Sequence, residues 1–222
     1  MTEPVLSEPV FGAVKIKIFS DYVCPFCMLA EGPIEEATKD LYVDIEWMPF
    51  ELRAHPHPTL RPEDDYLPAI WSRAVYPMAR QLGVDITLPT VSPQPYTHLA
   101  FEGYQYAAAH DLGTEYTHRM FEAFFQEDQD LGNPDVLETL ATEIGLDGAD
   151  FRAALDNRTY RTKHQDALRE AESHQIRSVP TILIGNTRLE GVPNPAELRK
   201  AILNAQAADA ITYGATCGVD GC

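Results

Sequence analysis

Apolar and polar residues alternate along Val14-Lys15-Ile16-Lys17-Ile18-Phe19, the two-residue period of a strand with one buried face. From Phe26 the period lengthens. Phe26, Leu29, Ala30, Pro33, Ile34, Ala37 and Leu41 fall close to one helical face, and Gly32-Pro33 is expected to kink that helix. Alternation returns at Val43, Ile45 and Trp47, and Pro49 closes a second strand. Strand, helix and strand in this order predict a parallel βαβ unit.

Between about Arg61 and Gln175 the periodicity is helical almost throughout. Tyr66, Ile70 and Ala74 share a face in a segment that Leu82-Gly83 ends. Ser92-Pro93 reads as N-cap and first position of another helix, which Gly113 terminates. Thr114 is a cap for a third, with Tyr116, Met120 and Phe124 aligned, and Asn133-Pro134 opens a fourth that runs to Ile144-Gly145. Shorter helices are predicted at Phe151 to Leu155 and Tyr160 to Ser173. Strand chemistry then returns: Thr181-Ile182-Leu183-Ile184, the turn pair Gly185-Asn186 and the arm Thr187-Arg188-Leu189-Glu190 form a hairpin. Asn194-Pro195 caps a last helix with a stripe of Leu198, Ala201, Ile202 and Ala205.

If both ends share one sheet, the helices are an insertion into it. The expected organisation is a loose leader over 1–12, one unit from 13–60 and 176–208, a helical insertion over 61–175, and a Gly-rich tail over 209–222.

Composition narrows the function. The 222 residues are 45% hydrophobic, enough for an ordinary packed core, and 34 Asp plus Glu against 17 Lys plus Arg give a formal net charge of -17. Nucleic acid and anionic lipid would be repelled, so neutral or basic partners are expected, with no nucleic-acid and no membrane role. No apolar run is long enough to span a bilayer, and the start MTEPVLSEPVFGAV has neither the basic nor the apolar region of a secretory signal. A cytoplasmic protein is expected, and in a reducing compartment paired cysteines are metal ligands or redox groups more often than staples.

Two of the four cysteines stand three positions apart in FSDYVCPFC, directly after the first strand and at the start of the first helix. A thiol reacts as the thiolate, which the unpaired N–H groups and positive dipole end of a helix favour, and Cys24 occupies that position. Cys27, one turn on, can attack a mixed disulfide at Cys24 and release the substrate thiol. Pro25 fits a first turn, where its missing N–H has no intrahelical partner. Such a pair needs no cofactor. Zinc would want four soft ligands, which Cys217 and Cys222 could complete, but their spacing is not that of a zinc knuckle. A second signal is Arg177-Ser178-Val179-Pro180-Thr181, where a proline precedes an apolar strand and can adopt a cis peptide that leaves backbone groups free for an extended substrate.

FSDYVCPFC after a strand, a large helical insertion, SVPT before a hairpin and a closing helix together resemble the DsbA family of thioredoxin-fold oxidoreductases. Its FrnE-like branch is the most similar, through the FSD-x-x-CPxC entry and a further C-x4-C near the C-terminus, here Cys217 to Cys222. The resemblance implies an α/β thioredoxin-like fold with a large all-helical insertion. It also implies that Cys24 is the exposed nucleophile, Cys27 the resolving thiol, and Val179-Pro180 the cis-proline element facing them. The expected activity is that of a thiol:disulfide oxidoreductase or isomerase on protein disulfides, with glutathione or a thioredoxin-type protein as donor. Periplasmic members carry histidine where this chain has Phe26, which points away from a very strong oxidant.

Other features admit two readings each. Cys217 and Cys222 form an auxiliary redox pair or are incidental tail thiols. Asp21 relays protons to the thiols or is a turn residue. His55-Pro56-His57-Pro58 reads as a surface loop before a metal pair, and Tyr96, Tyr104, Tyr116, Phe124 and Phe125 as helix packing before a ligand box. Two rival functions remain: a glutathione-dependent small-molecule isomerase or transferase, whose members on this scaffold carry serine at the Cys24 position, and a chaperone-like binder with passive cysteines.

Overall fold

The computed structural model describes residues 12–216, with side chains described through residue 208. Cys217 and Cys222, the expected auxiliary pair, lie outside the described residues. The β1 strand Val14–Ser20 leads into α1 Pro25–Leu29 and α2 Glu31–Thr38, followed by β2 Val43–Pro49. Next come α3 Tyr66–Ile70, a π-helical turn Trp71–Val75, α4 Tyr76–Leu82, α5 His98–Ala108, α6 Gly113–Phe125, α7 Pro134–Glu143, α8 Gly148–Asp156 and α9 Arg161–Ser173. The chain closes with β3 Thr181–Ile184, β4 Thr187–Glu190 and α10 Pro195–Thr216. No helix among the described residues is long and apolar enough to cross a membrane.

The four strands form one sheet in the order β2-β1-β3-β4. β1 and β2 are parallel, with Val14 opposite Val43 and Ser20 opposite Pro49; β3 is antiparallel to both β1 and β4. The two ends of the sequence therefore meet in one sheet, with the helices α3 to α9 entering between β2 and β3. Side chains alternate across a strand, so β1 feeds two cores. Ile16 and Ile18 join the main core, whereas Phe19, with Met48 of β2, joins Ala167 and Ala171 of α9 and Ile176 beyond it. Alternating exposure stops at the carboxyl ends of both parallel strands, where Ile18 to Ser20 and Trp47 to Pro49 are all buried. That end of a parallel pair is where α/β sheets place their sites.

Several helix boundaries differ from the periodicity. The first helix breaks at Ala30 rather than at Gly32-Pro33, which lie inside the first turn of α2. Proline at position 33 has no N–H for the Leu29 carbonyl and its ring crowds that carbonyl, so the break falls where Pro33 acts, not where it stands. In α3 to α4 the buried stripe is Leu67, Trp71, Val75 and Ala79, one place from the predicted one, and Tyr66 is exposed. A strict four-residue spacing drifts on an α-helix; the wider i→i+5 turn at Trp71–Val75 brings it back to one side. Ser92-Pro93 opens no helix. The Ser92 hydroxyl donates to the Glu63 carboxylate and the Gln94 N–H to the Leu60 carbonyl, so this stretch is bonded as a loop, and α5 begins five residues later. Gly113 starts α6 instead of ending α5, which places Thr114 within the helix.

The predicted stripe of α6 is buried as expected, with Tyr116, Met120 and Phe124 inaccessible. Phe121 of the same helix links the halves of the molecule: its ring meets Tyr22 at 5.5 Å and Trp47 at 6.4 Å, and Phe125 at 6.4 Å. Gly103 allows this packing from α5, because a Cβ there would meet the Tyr116 hydroxyl and lie 2.8 Å from Phe151 Cζ. Gly103→Ala is accordingly expected to destabilise the protein. Better helix propensity gains about 1 kcal/mol, but overpacking a filled core costs about 1 to 3 kcal/mol or more. A lower urea midpoint with unchanged m-value is the expected observation.

Candidate active site

The strand β1 delivers Ser20 and Asp21 into a tight turn in which the Cys24 N–H donates to the Asp21 carbonyl at 3.0 Å. Cys24 is the N-cap of α1, with extended φ and ψ of -94° and 109°, and Pro25 follows at the first helical position. The helix is only five residues long, and the Cys27 N–H is already taken by the Cys24 carbonyl at 3.0 Å. The field at Cys24 therefore comes from a single local turn and not from a long helix, a shorter dipole than the periodicity implied.

Across from this turn the Val179-Pro180 peptide is cis, as the resemblance implied, and the Cys24 thiol faces the Val179 carbonyl oxygen at 3.6 Å. The Pro180 carbonyl accepts from Gly191 N–H at 2.8 Å, tying this element to the end of β4. The expectation that Cys24 is exposed is corrected: the residue is 4% accessible and Cys27 is inaccessible. Cys24 lies against the Val179 carbonyl and within the main apolar core. Both cysteines are free thiols. Burial pushes the Cys27 thiol well above its ordinary range and the adjacent Cys24 thiol pushes it further; the Asp21 amide and the Ser20 hydroxyl beside it act in the other direction.

Asp21 is buried, and its carbonyl also makes the turn, so it is both a turn residue and a buried acid. Its Oδ2 accepts from Leu52 N–H at 2.7 Å. Loss of hydration raises its pKa to about 6, against hydrogen bonds from Leu52, Thr97 and Val23 that favour the charged form, while the Glu51 charge adds to the rise. Thr97 and the segment 51–54 carry no motif, and sequence reasoning missed them. It also missed a pair behind them, Glu51 and His164, whose Oε1 and Nε2 stand 2.7 Å apart with side chains 8% and 3% accessible. They lie 113 positions apart, and no sequence pattern couples a loop after β2 to the first turn of α9. The pair borders a cleft of about 480 Å³ that Glu102, bonded twice by Arg158, and His98 also line. His55 and His57 are exposed loop residues, and Tyr104, Tyr116, Phe124 and Phe125 are buried; Tyr96 is half-buried and donates to the His57 carbonyl at 3.0 Å.

A dithiol on a helix start at the carboxyl end of parallel strands, with a cis-proline opposite, places the molecule among thioredoxin-fold dithiol proteins. Comparison gives the family within that class: residues 15–203 match the DSBA-like thioredoxin domain, and the chain belongs to this family. It is 49% identical over 195 residues, 87% of this chain and 98% of the other, to the uncharacterized protein YwbO of Bacillus subtilis strain 168. In fold it is similar to a 2-hydroxychromene-2-carboxylate isomerase, with a TM-score of 0.70, 16% identity, and 88% of this chain and 98% of that one covered. It is likewise similar to the cytosolic disulfide reductase DsbM of Pseudomonas aeruginosa with GSH, with a TM-score of 0.63, 16% identity and coverage of 90% and 99%.

Proposed function

We propose that the protein is a thiol:disulfide oxidoreductase with isomerase activity, acting on disulfides of protein substrates. The observation that carries this is the free Cys24–Cys27 pair, buried beside the Val179–Pro180 peptide. In this reading the substrate strand displaces the Val179 carbonyl from Cys24 and pairs with the backbone at 179–180. Cys24 attacks one substrate sulfur, the substrate S–S bond breaks, and one substrate thiolate leaves. Cys27 then loses its proton and attacks Cys24 Sγ. The mixed disulfide breaks, the second substrate thiolate leaves, and two electrons have passed to the substrate. The raised proton affinity of Cys27 keeps it a thiol during the first attack, and the Asp21 carboxylate is the base that takes its proton in the second.

Glutathione or a thioredoxin-type dithiol would reduce the resulting Cys24–Cys27 disulfide. The fold similarity to the cytosolic disulfide reductase DsbM with GSH supports a glutathione-linked, cytoplasmic role. In this reading 13–60 and 176–208 form the thioredoxin-like unit and 61–175 an inserted helical cover, while Cys217 and Cys222 act as an auxiliary pair. The FrnE-like branch is the assignment within the family.

The fold likeness to a 2-hydroxychromene-2-carboxylate isomerase supports a second reading, small-molecule isomerisation with glutathione. A resolving thiol at Cys27 has no use in it. The dithiol reading is tested by adding catalytic amounts of the protein to insulin and to a scrambled disulfide protein in a glutathione buffer. Insulin reduction and recovery of the scrambled protein are expected to run faster than in buffer alone. Rates equal to the buffer's in both assays exclude the dithiol reading.

A further inference from the structure

The Glu51–His164 pair is buried, bonded and outside the dithiol chemistry. It nevertheless reaches the dithiol turn along two physical routes. Glu51 precedes Leu52, whose N–H binds the Asp21 carboxylate at 2.7 Å. The His164 ring stacks on Phe101, with centroids 5.7 Å apart and planes at 10°, and Phe101 stacks on Tyr22, the residue after Asp21, at 4.5 Å and 26°. One route is electrostatic and runs through a single loop residue; the other is a stack of three rings. Both end on neighbouring residues of the turn that carries Cys24.

We propose that Glu51 and His164 are positioning residues of the dithiol site: they fix the loop that binds Asp21, and the charge of Glu51 shifts the pH at which Asp21 exchanges its proton. This rests on Asp21 serving the resolving step. The environment suits the role. Around Asp21 stand Glu51, Tyr22 and the Cys27 turn, with Arg53 on the wall of the adjoining pocket. Around the pair stand His98, Arg158 with its partner Glu102, and His55 and Arg161 on the cleft wall. Glu51 is the group in this set that acts on Asp21 through its charge and raises its proton affinity. His164 Nδ1 makes no hydrogen bond among the described residues, so Glu51 is the one hydrogen-bond partner of the imidazole among them. A pair serving only as a core tether would hold the loop without moving any titration.

The test is the pH titration of the Asp21 carboxyl carbon by NMR in the full chain, beside the pH profile of the Cys27 step. That step is read as release of a chromophoric thiol preloaded on Cys24. Glu51→Gln keeps the shape of the side chain and removes its charge. The Asp21 midpoint is expected to fall and the profile to follow it by the same amount. Glu51→Asp, which keeps the charge, is expected to restore the parent midpoint. An Asp21 midpoint unchanged in a folded Glu51→Gln protein overturns the proposal. If that variant does not fold, His164→Gln decides: a midpoint moved upward supports the proposal, and an unmoved one overturns it. Failure of the underlying role of Asp21 looks different, for then the carbon titration shifts in Glu51→Gln while the release profile stays where it was.

Discussion

Cys24→Ser protein is expected to lose insulin reduction and disulfide reshuffling on the order of a thousandfold or more, since the attacking sulfur is removed and an alcohol does not ionise near neutral pH. Cys27→Ser protein is expected to fail differently. Its Cys24 still captures a substrate sulfur, but no internal thiol ejects it, so without added thiol a one-to-one mixed disulfide should accumulate and appear in non-reducing gels and intact mass spectra. Both positions are buried, so fold must be checked by circular dichroism. A native spectrum with these two distinct failures identifies nucleophile and resolver separately. Unimpaired activity in folded Cys24→Ser protein would end the dithiol mechanism, and unimpaired turnover in Cys27→Ser would show that Cys27 is not the resolving thiol.

The dithiol was legible because its chemistry is local. Cys24, Pro25 and Cys27 sit within one helical turn, and the alternation before them marks the strand that delivers them. Pro180 was legible through its place before Thr181–Ile184, although only the fold brings its neighbour's carbonyl to Cys24. The sheet was legible at both ends for the same reason: β1 keeps strict alternation until Ile18, and Gly185 adopts a φ of 54° that suits glycine in a tight hairpin.

What failed depended on distance. Periodicity placed the stripe of α3 to α4 one residue off, on Tyr66 instead of Leu67, and the π turn that keeps the true stripe on one side leaves no mark in an apolar pattern. Ser92-Pro93 has the composition of a helix start, yet Glu63, far back in the chain, takes the hydroxyl that would have capped it. Access to Cys24 was misjudged for a related reason. A helix start is usually open to solvent, and here Cys24 packs into the main core with the Val179 carbonyl, 155 positions away, against its sulfur. Glu51 and His164 show the limit most plainly: each is unremarkable in its own segment, and only the packing of α9 beside the loop after β2 makes them a pair.

Asp21→Asn is expected to make the protein more stable at neutral pH and a poorer catalyst. The sign follows from the raised pKa of about 6 against an ordinary 3.8. Below the ordinary value the carboxyl is neutral in the folded and unfolded chain alike, and it costs nothing. Between the two values the unfolded chain releases this proton while the folded one keeps it, so folding is weakened as pH rises. Above about 6 the penalty is complete, and a difference of roughly two pH units corresponds to about 3 kcal/mol. Asparagine never carries the charge and can still accept from Leu52 N–H. Its own buried N–H groups return about 1 kcal/mol of the gain if they find no acceptor. The variant should therefore exceed the parent by about 1 to 3 kcal/mol at pH 7 in urea unfolding, with the advantage fading between pH 6 and 4. Subtracting the parent's curve removes the many surface carboxylates of this acidic chain, which titrate alike in both proteins. A stability difference that does not change with pH would show that Asp21 carries no buried charge. A difference that follows this curve, together with slower release of thiols from Cys24, would mean that the fold tolerates a costly carboxylate because the resolving step uses it.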